Sequence, residues 1–289
     1  MGSRGMSRSF LWLVSLAALI GVYTVAAGAL HRPDILPTTQ DVLETFGALV
    51  VRGQAPPADE MHHEHHHHQM RSSDQVDTLV RQGVTLQDSL LISIGRVLFG
   101  LAVGLPLGIL TGVLLGWSRR ADDYLHPIYV LVRSVPPLAL ITYVMLWLGH
   151  SEAHRLIPIV YAVATTAVIP TYHSVRDVAA RYLVAARSLG ARGRLLVTKV
   201  LLPAASPAVL GGLRYAVAIA WMTAVGAEML MAENGMGNLL VGGGMWSSRL
   251  QTRSDPAVII AGVITLAAAG WAMDAGARLL AARLTRWAR

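Results

Sequence analysis

The chain has 289 residues, of which 54% are hydrophobic and only 14% are charged. Soluble domains carry about 25% charged residues, so a soluble globule of this size lacks the polar surface to cover so many apolar side chains. The composition excludes a soluble enzyme, a disordered tail and a collagen-like chain, and it predicts an all-α polytopic membrane protein. The sequence contains no cysteine, which excludes disulfides and thiolate metal sites.

A membrane-spanning helix needs about 20 mostly apolar residues, and six stretches of the chain meet this requirement. In chain order they are residues 11–30, 90–117, 128–149, 156–172, 213–230 and 257–280. The first follows Arg4 and Arg8, as the apolar core of a secretory signal would. It is longer than the about 7–15 residues usual in a signal peptide, so it predicts an uncleaved anchor, with a cleaved signal as the alternative.

The distribution of basic residues predicts the orientation of the chain. If the N-terminus is cytoplasmic, the inner segments hold 13 of the 24 basic residues in 65 positions, and the outer segments hold 7 in 91. Basic residues concentrate in cytoplasmic loops, so both termini are expected inside. Of the charges within the spans, Arg96 is expected to extend toward the outer interface. Arg278 is expected to pair with Asp274, one helical turn earlier.

This arrangement divides the chain into four parts. Residues 1–30 are predicted to form a cytoplasmic tail and the first span, and residues 31–86 a periplasmic segment. Residues 87–285 are predicted to form the core, with five spans and a long cytoplasmic loop at 173–208. Residues 286–289 are predicted to be a cytoplasmic tail.

The cytoplasmic loop 173–208 has a pattern of its own. Residues 176–189 are predicted to form a helix with small side chains on its surface. Gly190 is predicted to end this helix, because glycine adopts the left-handed conformation at little cost. A second amphipathic stretch follows, which Pro203 is predicted to end. Such a hairpin suits close approach by another protein, and a hairpin lying on lipid headgroups is the alternative.

This stretch resembles the "EAA" loop of binding-protein-dependent ABC importer permeases, whose pattern is E-A-A-x3-G-x9-I-x-L-P. The chain departs from the pattern at Val184, where the family often has Glu, so any salt bridge from that Glu to the ATPase is absent. The resemblance implies an ATPase-coupling role for the positions that match the pattern. They are Ala185, Ala186, Gly190, Val200, Leu202 and Pro203.

The resemblance extends from about residue 35 to the C-terminus and is greatest to the nitrate/sulfonate/taurine-type permeases. The segments that carry it are residues 36–38, 133–140, 147–149, 212–216, 227–229 and 235–239. It implies a type I ABC importer permease fold (MetI-like) in the bacterial inner membrane. It also implies a homodimer that works with a cytoplasmic ABC ATPase dimer and one periplasmic solute-binding protein, and that forms the pathway for a small anion or related nutrient.

The chain is predicted not to be an enzyme. A phosphate-binding loop needs the pattern G-x-x-x-x-G-K-[ST], and the only lysine, Lys199, does not lie in one. Transport driven by ATP therefore requires a separate ATPase, and ATP with Mg²⁺ is expected on that partner and not on this chain. Nucleic acid is not an expected partner, because in a membrane protein surplus arginine orients loops.

Two charged residues within the spans are candidates for the transport pathway. Glu228, near the outer end of the fifth span, is expected to bond Arg96 on the second span, with substrate contact as the alternative. Arg133 precedes Pro136 and Pro137, which are predicted to break the third span and free backbone groups there. An Arg facing the pathway suits an anionic solute, and a structural role is the alternative. Residues 242–246 are a candidate for an external gate.

A histidine run lies in the external segment, within residues 55–82, which family members keep shorter. Deprotonated imidazoles bind Zn, Ni or Cu ions, so the run is either a metal-capturing segment of a metal or metallophore importer, a passive insert or an engineered tag. The H-E-x-x-H match within it lacks the fixed helix and third ligand of a zinc protease. The candidate metal ligands are His62, His63, His65, His66, His67 and His68.

A second class of function is an ATP-independent cation transporter. It would need His or Asp ligands at helical spacing inside the membrane, as zinc carriers have. The histidines near the spans lie at span ends, and Asp274 stands alone, so the pattern does not favour this class.

Overall fold

The computed structural model of the protein describes residues 18, 21–25, 37–51, 85–149, 151–178, 180–231, 234–241 and 256–285. Within these residues the regular secondary structure is helical. The helices are α1 (Thr39–Val51), α2 (Leu86–Trp117), α3 (Arg119–Arg133), α4 (Pro137–Leu148), α5 (Glu152–Arg176), α6 (Ala180–Ser188), α7 (Gly193–Leu196), α8 (Leu202–Met231), α9 (Met236–Leu240) and α10 (Pro256–Leu284).

Four of these helices are long and apolar enough to cross a membrane: α2, α5, α8 over Val209–Leu230, and α10. They correspond to the second, fourth, fifth and sixth predicted spans. The fourth span is longer than predicted, because α5 runs through both Pro158 and Pro170. Neighbouring helices and side chains satisfy the backbone groups that prolines free within a membrane. Of the first predicted span, 11–30, the structure describes only residues 18 and 21–25, which are helical.

A glycine stripe brings α2 and α5 into close contact. Five glycines, spaced four residues apart, lie along one face of α2, so that the α5 backbone can approach it closely. A Cβ atom at Gly108 would lie 2.4 Å from the carbonyl oxygen of Ala164, and one at Gly100 would lie 2.3 Å from Ile159. The stripe consists of Gly100, Gly104, Gly108, Gly112 and Gly116. Buried Val97, Ile159, Val163 and Ala220 continue this contact into the apolar core between α2, α5 and α8.

The third predicted span is broken, as the prolines predict. The axes of α3 and α4 meet at 84°, with Pro137 as the first residue of α4. The Tyr161 hydroxyl on α5 lies within hydrogen-bond distance of the carbonyl oxygens of Val132 and Val135. A side chain from a neighbouring helix thus adds hydrogen bonds to carbonyl groups at the break.

The loop between α5 and α8 corrects two predictions. The helix predicted over 176–189 is two helices, since α5 ends at Arg176 and α6 begins at Ala180. Pro203 does not end the second stretch, which continues from α7 through the π-helical turn Val197–Leu201 into α8. A proline ring clashes with the carbonyl group four residues earlier in a regular helix, and the wider π turn ahead of Pro203 relieves this conflict.

Candidate functional site

The hairpin, residues 180–203, turns at Gly190. This residue has φ +85°, in the left-handed region. The Ala191 N–H donates to the Ala186 carbonyl group at 2.9 Å, and the Gly190 N–H donates to the Arg187 carbonyl group at 3.0 Å. These two bonds form a Schellman motif, which satisfies the last carbonyl groups of α6. The predicted glycine stop is confirmed.

One side of the hairpin packs against the bundle and the other is open. Val197 and Leu201 pack with Val175, at the end of α5, in a small apolar cluster. By contrast, Val184 and Leu189 are 61% and 89% exposed, although both side chains are apolar. These exposed apolar side chains are available for contact with another molecule.

The six residues that match the EAA pattern are divided between exposed and covered positions. Ala185 and Gly190 are exposed, so another protein can contact them directly. The other four are buried or half-buried and shape the hairpin. They are Ala186, Val200, Leu202 and Pro203.

The Glu228 carboxylate is fully buried at the end of the bundle opposite the hairpin. It accepts hydrogen bonds from the Ser93 hydroxyl at 2.7 Å, the Arg96 guanidinium at 2.7 Å and the Gly237 N–H at 3.0 Å. A buried carboxylate is expensive unless it is paired and hydrogen-bonded, and these three donors meet that need. The predicted pair between Glu228 and Arg96 is confirmed.

Arg96 is buried as well, and all five of its N–H groups have acceptors. Its Nε and Nη2 donate to the Glu152 carboxylate at 3.2 and 2.9 Å. Nη1 donates to Glu228 and to the Asn234 carbonyl oxygen at 3.1 Å, and Nη2 also donates to the Asn234 side chain at 2.5 Å. The guanidinium itself is 5% exposed, and its donors are matched in full by acceptors, of which the Glu152 side chain is 54% exposed. That Arg96 extends toward the outer interface stays a prediction.

We call the group formed by Ser93, Arg96, Glu152, Glu228 and Asn234 the far-end cluster. It joins α2, α5, α8 and the segment before α9. Gly235, at φ +105°, completes it, since a Cβ atom there would lie 2.5 Å from Glu228 Cδ. Sequence reasoning found two of the members and missed the others, whose partners lie 56 to 138 residues away. The glycine pair at 235 and 237 was the available signal.

Two further groups of charges lie within the spans. Arg133, at the end of α3, is exposed and makes no ion pair with any residue that the structure describes. Asp274 on α10 pairs with Arg278 at 3.5 Å, which confirms that prediction. Its closer partner is Arg214 on α8, at 2.7 and 3.0 Å. The sequence analysis assigned no partner to Arg214, which lies 60 residues before Asp274.

The histidine run at 62–68 and the candidate gate at 242–246 lie outside the described residues. Within the part of the chain that the structure does describe, no group of three or more His, Asp or Glu side chains is arranged to hold a metal ion.

The family model of the binding-protein-dependent transport system inner membrane component matches residues 104–286. The match covers more than half of the chain, and the chain belongs to this family. It is the permease subunit of an ABC importer, an inner-membrane component that works with a separate ATPase and a solute-binding protein. The resemblance of the hairpin to the EAA loop therefore pointed to the correct family.

Two relatives are similar over nearly the whole chain. SsuC of Bacillus subtilis, an aliphatic sulfonates transport permease by name, is 29% identical over 96% of this chain and 88% of its own. TauC of Escherichia coli K12, named as a taurine transport system permease, is 30% identical over 94% of this chain and 88% of its own.

A solved structure supports the fold. The inward-facing MetNI methionine ABC transporter matches with a TM-score of 0.55 and 18% identity, over 69% of this chain and 94% of that chain. The predicted type I importer permease fold is confirmed.

Proposed function

We propose that this permease forms the membrane pathway for a small sulfonate such as taurine, or a related anion, delivered by a periplasmic solute-binding protein. The observation that carries the proposal is the similarity to SsuC and TauC over nearly the whole chain. Arg133 supports it, because an exposed guanidinium at the α3–α4 break, without a carboxylate partner among the described residues, would give the pathway a positive charge. Glu228 is buried, and its carboxylate already accepts hydrogen bonds from Ser93, Arg96 and Gly237, which favours an inter-helix role over substrate contact.

The hairpin is the proposed contact for a cytoplasmic ABC ATPase dimer. Its exposed side offers Val184, Ala185, Leu189 and Gly190 to a partner, while its covered side is packed on α5. Closure of the ATPase dimer on ATP would then displace the hairpin and shift the permease between inward-open and outward-open states, since each state makes different contacts with the ATPase. ATP and Mg²⁺ bind the partner in this proposal.

Two copies of the chain form the pathway in this proposal, with both termini of each copy in the cytoplasm. The predicted segments on the hairpin side of the membrane hold 13 basic residues in 65 positions, against 7 in 91 on the other side, and this difference supports the orientation. Helix α4 exposes the large apolar side chains of Leu146 and Trp147 in a single copy. In this proposal they contact lipid or the second copy.

The alternative of metal import gains no support from the relatives, whose names refer to sulfonates and taurine. Membership of the ABC permease family likewise gives no support to an ATP-independent cation transporter. Zn, Ni or Cu binding by the histidine run stays a separate prediction. Isothermal titration of these ions into the full chain and into a variant lacking residues 55–82 tests it.

Uptake by proteoliposomes tests the proposed substrate. The vesicles contain the permease, its ATPase and its solute-binding protein, and are supplied with radiolabelled taurine, nitrate or Zn²⁺. ATP-dependent accumulation of taurine is expected, with a loss of about tenfold in Arg133→Gln and a smaller loss in Arg133→Lys, which keeps the charge. Accumulation of Zn²⁺ without taurine would contradict the proposal.

A further inference from the structure

A second polar cluster joins the hairpin ends of α3 and α5. The Asp122 carboxylate on α3 lies 2.6 Å from the guanidinium of Arg176, the last residue of α5, and accepts a hydrogen bond from the Tyr172 hydroxyl at 3.0 Å. His126 Nδ1 lies 3.1 Å from the other carboxylate oxygen of Asp122. The Arg176 guanidinium also lies over the Tyr172 ring, 5.2 Å from its centroid. We call these four residues the hairpin-end cluster.

The residue before Arg176 contacts the hairpin. Val175 is buried with Leu201, and Leu183 and Val197 of the hairpin pack against the same cluster. Successive side chains on a helix point about 100° apart, so Val175 and Arg176 reach different neighbours. The end of α5 thus touches the hairpin through Val175 and α3 through Arg176.

Helix α3 connects this contact to the break within the membrane. It runs from the hairpin end at Arg119 to Arg133, just before the 84° bend. Of the residues in α3, all of which the structure describes, Tyr129 is the one buried residue. Near its break end, α3 is also held to α5 by the Tyr129 hydroxyl, which donates to the Thr165 carbonyl group, and by the Tyr161 hydroxyl. Pro127 lies between Asp122 and these contacts, but the helix is continuous through it, so a movement imposed on Asp122 is passed along α3 toward Arg133.

We propose that Asp122 is a positioning residue that transmits movement of the hairpin to α3 and thereby to Arg133. This rests on the proposed function, in which the ATPase displaces the hairpin. The ion pair with Arg176 and the hydrogen bond from Tyr172 keep α3 attached to the end of α5 during that movement. Without the ion pair the hairpin still moves but the break does not follow, so ATP is hydrolysed without transport.

The variant Asp122→Asn tests the proposal, with Asp123→Asn as the matched control, since Asp123 is its exposed neighbour on α3. We expect Asp122→Asn to co-purify with the ATPase and to keep a basal ATPase rate within about twofold of the wild type. The solute moved per ATP is expected to fall by about tenfold, within the usual range of coupling between two sites. Asp123→Asn keeps the wild-type ratio, and exchanging the partners (Asp122→Arg with Arg176→Asp) restores much of it.

A distance measurement follows the movement directly. Because the sequence has no cysteine, spin labels can be placed at Leu131→Cys on α3 and Leu279→Cys on α10, both exposed. In the assembled complex, ATP is expected to shift the distance between the labels, and Asp122→Asn is expected to abolish the shift.

The outcomes separate this proposal from the one on which it rests. A wild-type transport ratio in Asp122→Asn, or an unchanged distance shift, would overturn the role of Asp122 alone. Loss of ATPase binding in Asp122→Asn would also overturn it, because the residue would then merely maintain the hairpin. A wild-type permease that fails to bind the ATPase through the hairpin would instead overturn the proposed function.

Discussion

The far-end cluster and the hairpin-end cluster both use arginine and carboxylate, yet they differ in burial. At the far end, Glu228 and Arg96 are nearly inaccessible, and every N–H of the guanidinium has an acceptor. At the hairpin end, the Arg176 side chain is half-exposed. A buried and saturated charge has no alternative partner, whereas an exposed one can exchange its partner for water. The far end is therefore built to hold its helices together rigidly, whereas the hairpin end joins α3 to α5 through a partly solvated and weaker ion pair.

Removal of one partner from the far-end cluster is expected to have the largest effect. Glu228→Ala leaves Arg96 buried without its closest carboxylate, and such a loss costs about 3–5 kcal/mol. We expect a corresponding drop in the free energy of unfolding, measured by denaturant titration in detergent. The double variant Glu228→Leu with Arg96→Met, which removes both charges, should lose less. If Glu228→Ala is as stable as the wild type, the far-end cluster does not hold the helices.

Two glycines with positive φ provide a matched comparison of the ends. Gly235→Ala forces a Cβ atom against the Glu228 carboxylate in addition to straining the backbone, and we expect a loss of about 2–4 kcal/mol. Gly190→Ala meets no atom within 4 Å, so only backbone strain of about 1–2 kcal/mol remains. Thermal unfolding of the two variants side by side measures the difference. Equal losses would show that the far end is packed no more tightly than the hairpin.

The smallest effect on stability is expected on the exposed side of the hairpin. Val184→Glu places the residue that the EAA pattern often has at a 61% exposed position, so the free energy of unfolding should change by no more than about 0.5 kcal/mol. Binding of the ATPase, measured by surface plasmon resonance, should strengthen by about two- to fivefold if an ion pair forms. Val184→Gln, which adds no charge, is the control. Weaker binding in Val184→Glu would contradict this assignment of the contact surface.

The sequence predicted features that depend on local chemistry. The span positions follow from apolar length, the hairpin turn from Gly190, and the α3–α4 break from Pro136 and Pro137. The Arg96–Glu228 pair was also within reach, because two opposite charges at similar depth in neighbouring spans need each other.

Other features depend on contacts distant in sequence and could not be predicted in the same way. Glu152 lies outside the predicted fourth span, so nothing in the sequence linked it to Arg96, 56 residues earlier. Pro203 was expected to end a helix. A π turn ahead of it lets the helix continue, and local composition does not predict such a turn. The contact between Arg214 and Asp274 depends on how α8 packs on α10.

The side of the membrane at which the hairpin lies decides whether a cytoplasmic ATPase can reach it. The cysteine-free sequence permits a single label at Ser188→Cys, on the exposed side of the hairpin. A membrane-impermeant maleimide should leave this cysteine unlabelled in intact cells and label it once the cells are permeabilised. Labelling in intact cells would place the hairpin outside, where no cytoplasmic ATPase can reach it, and would contradict the account.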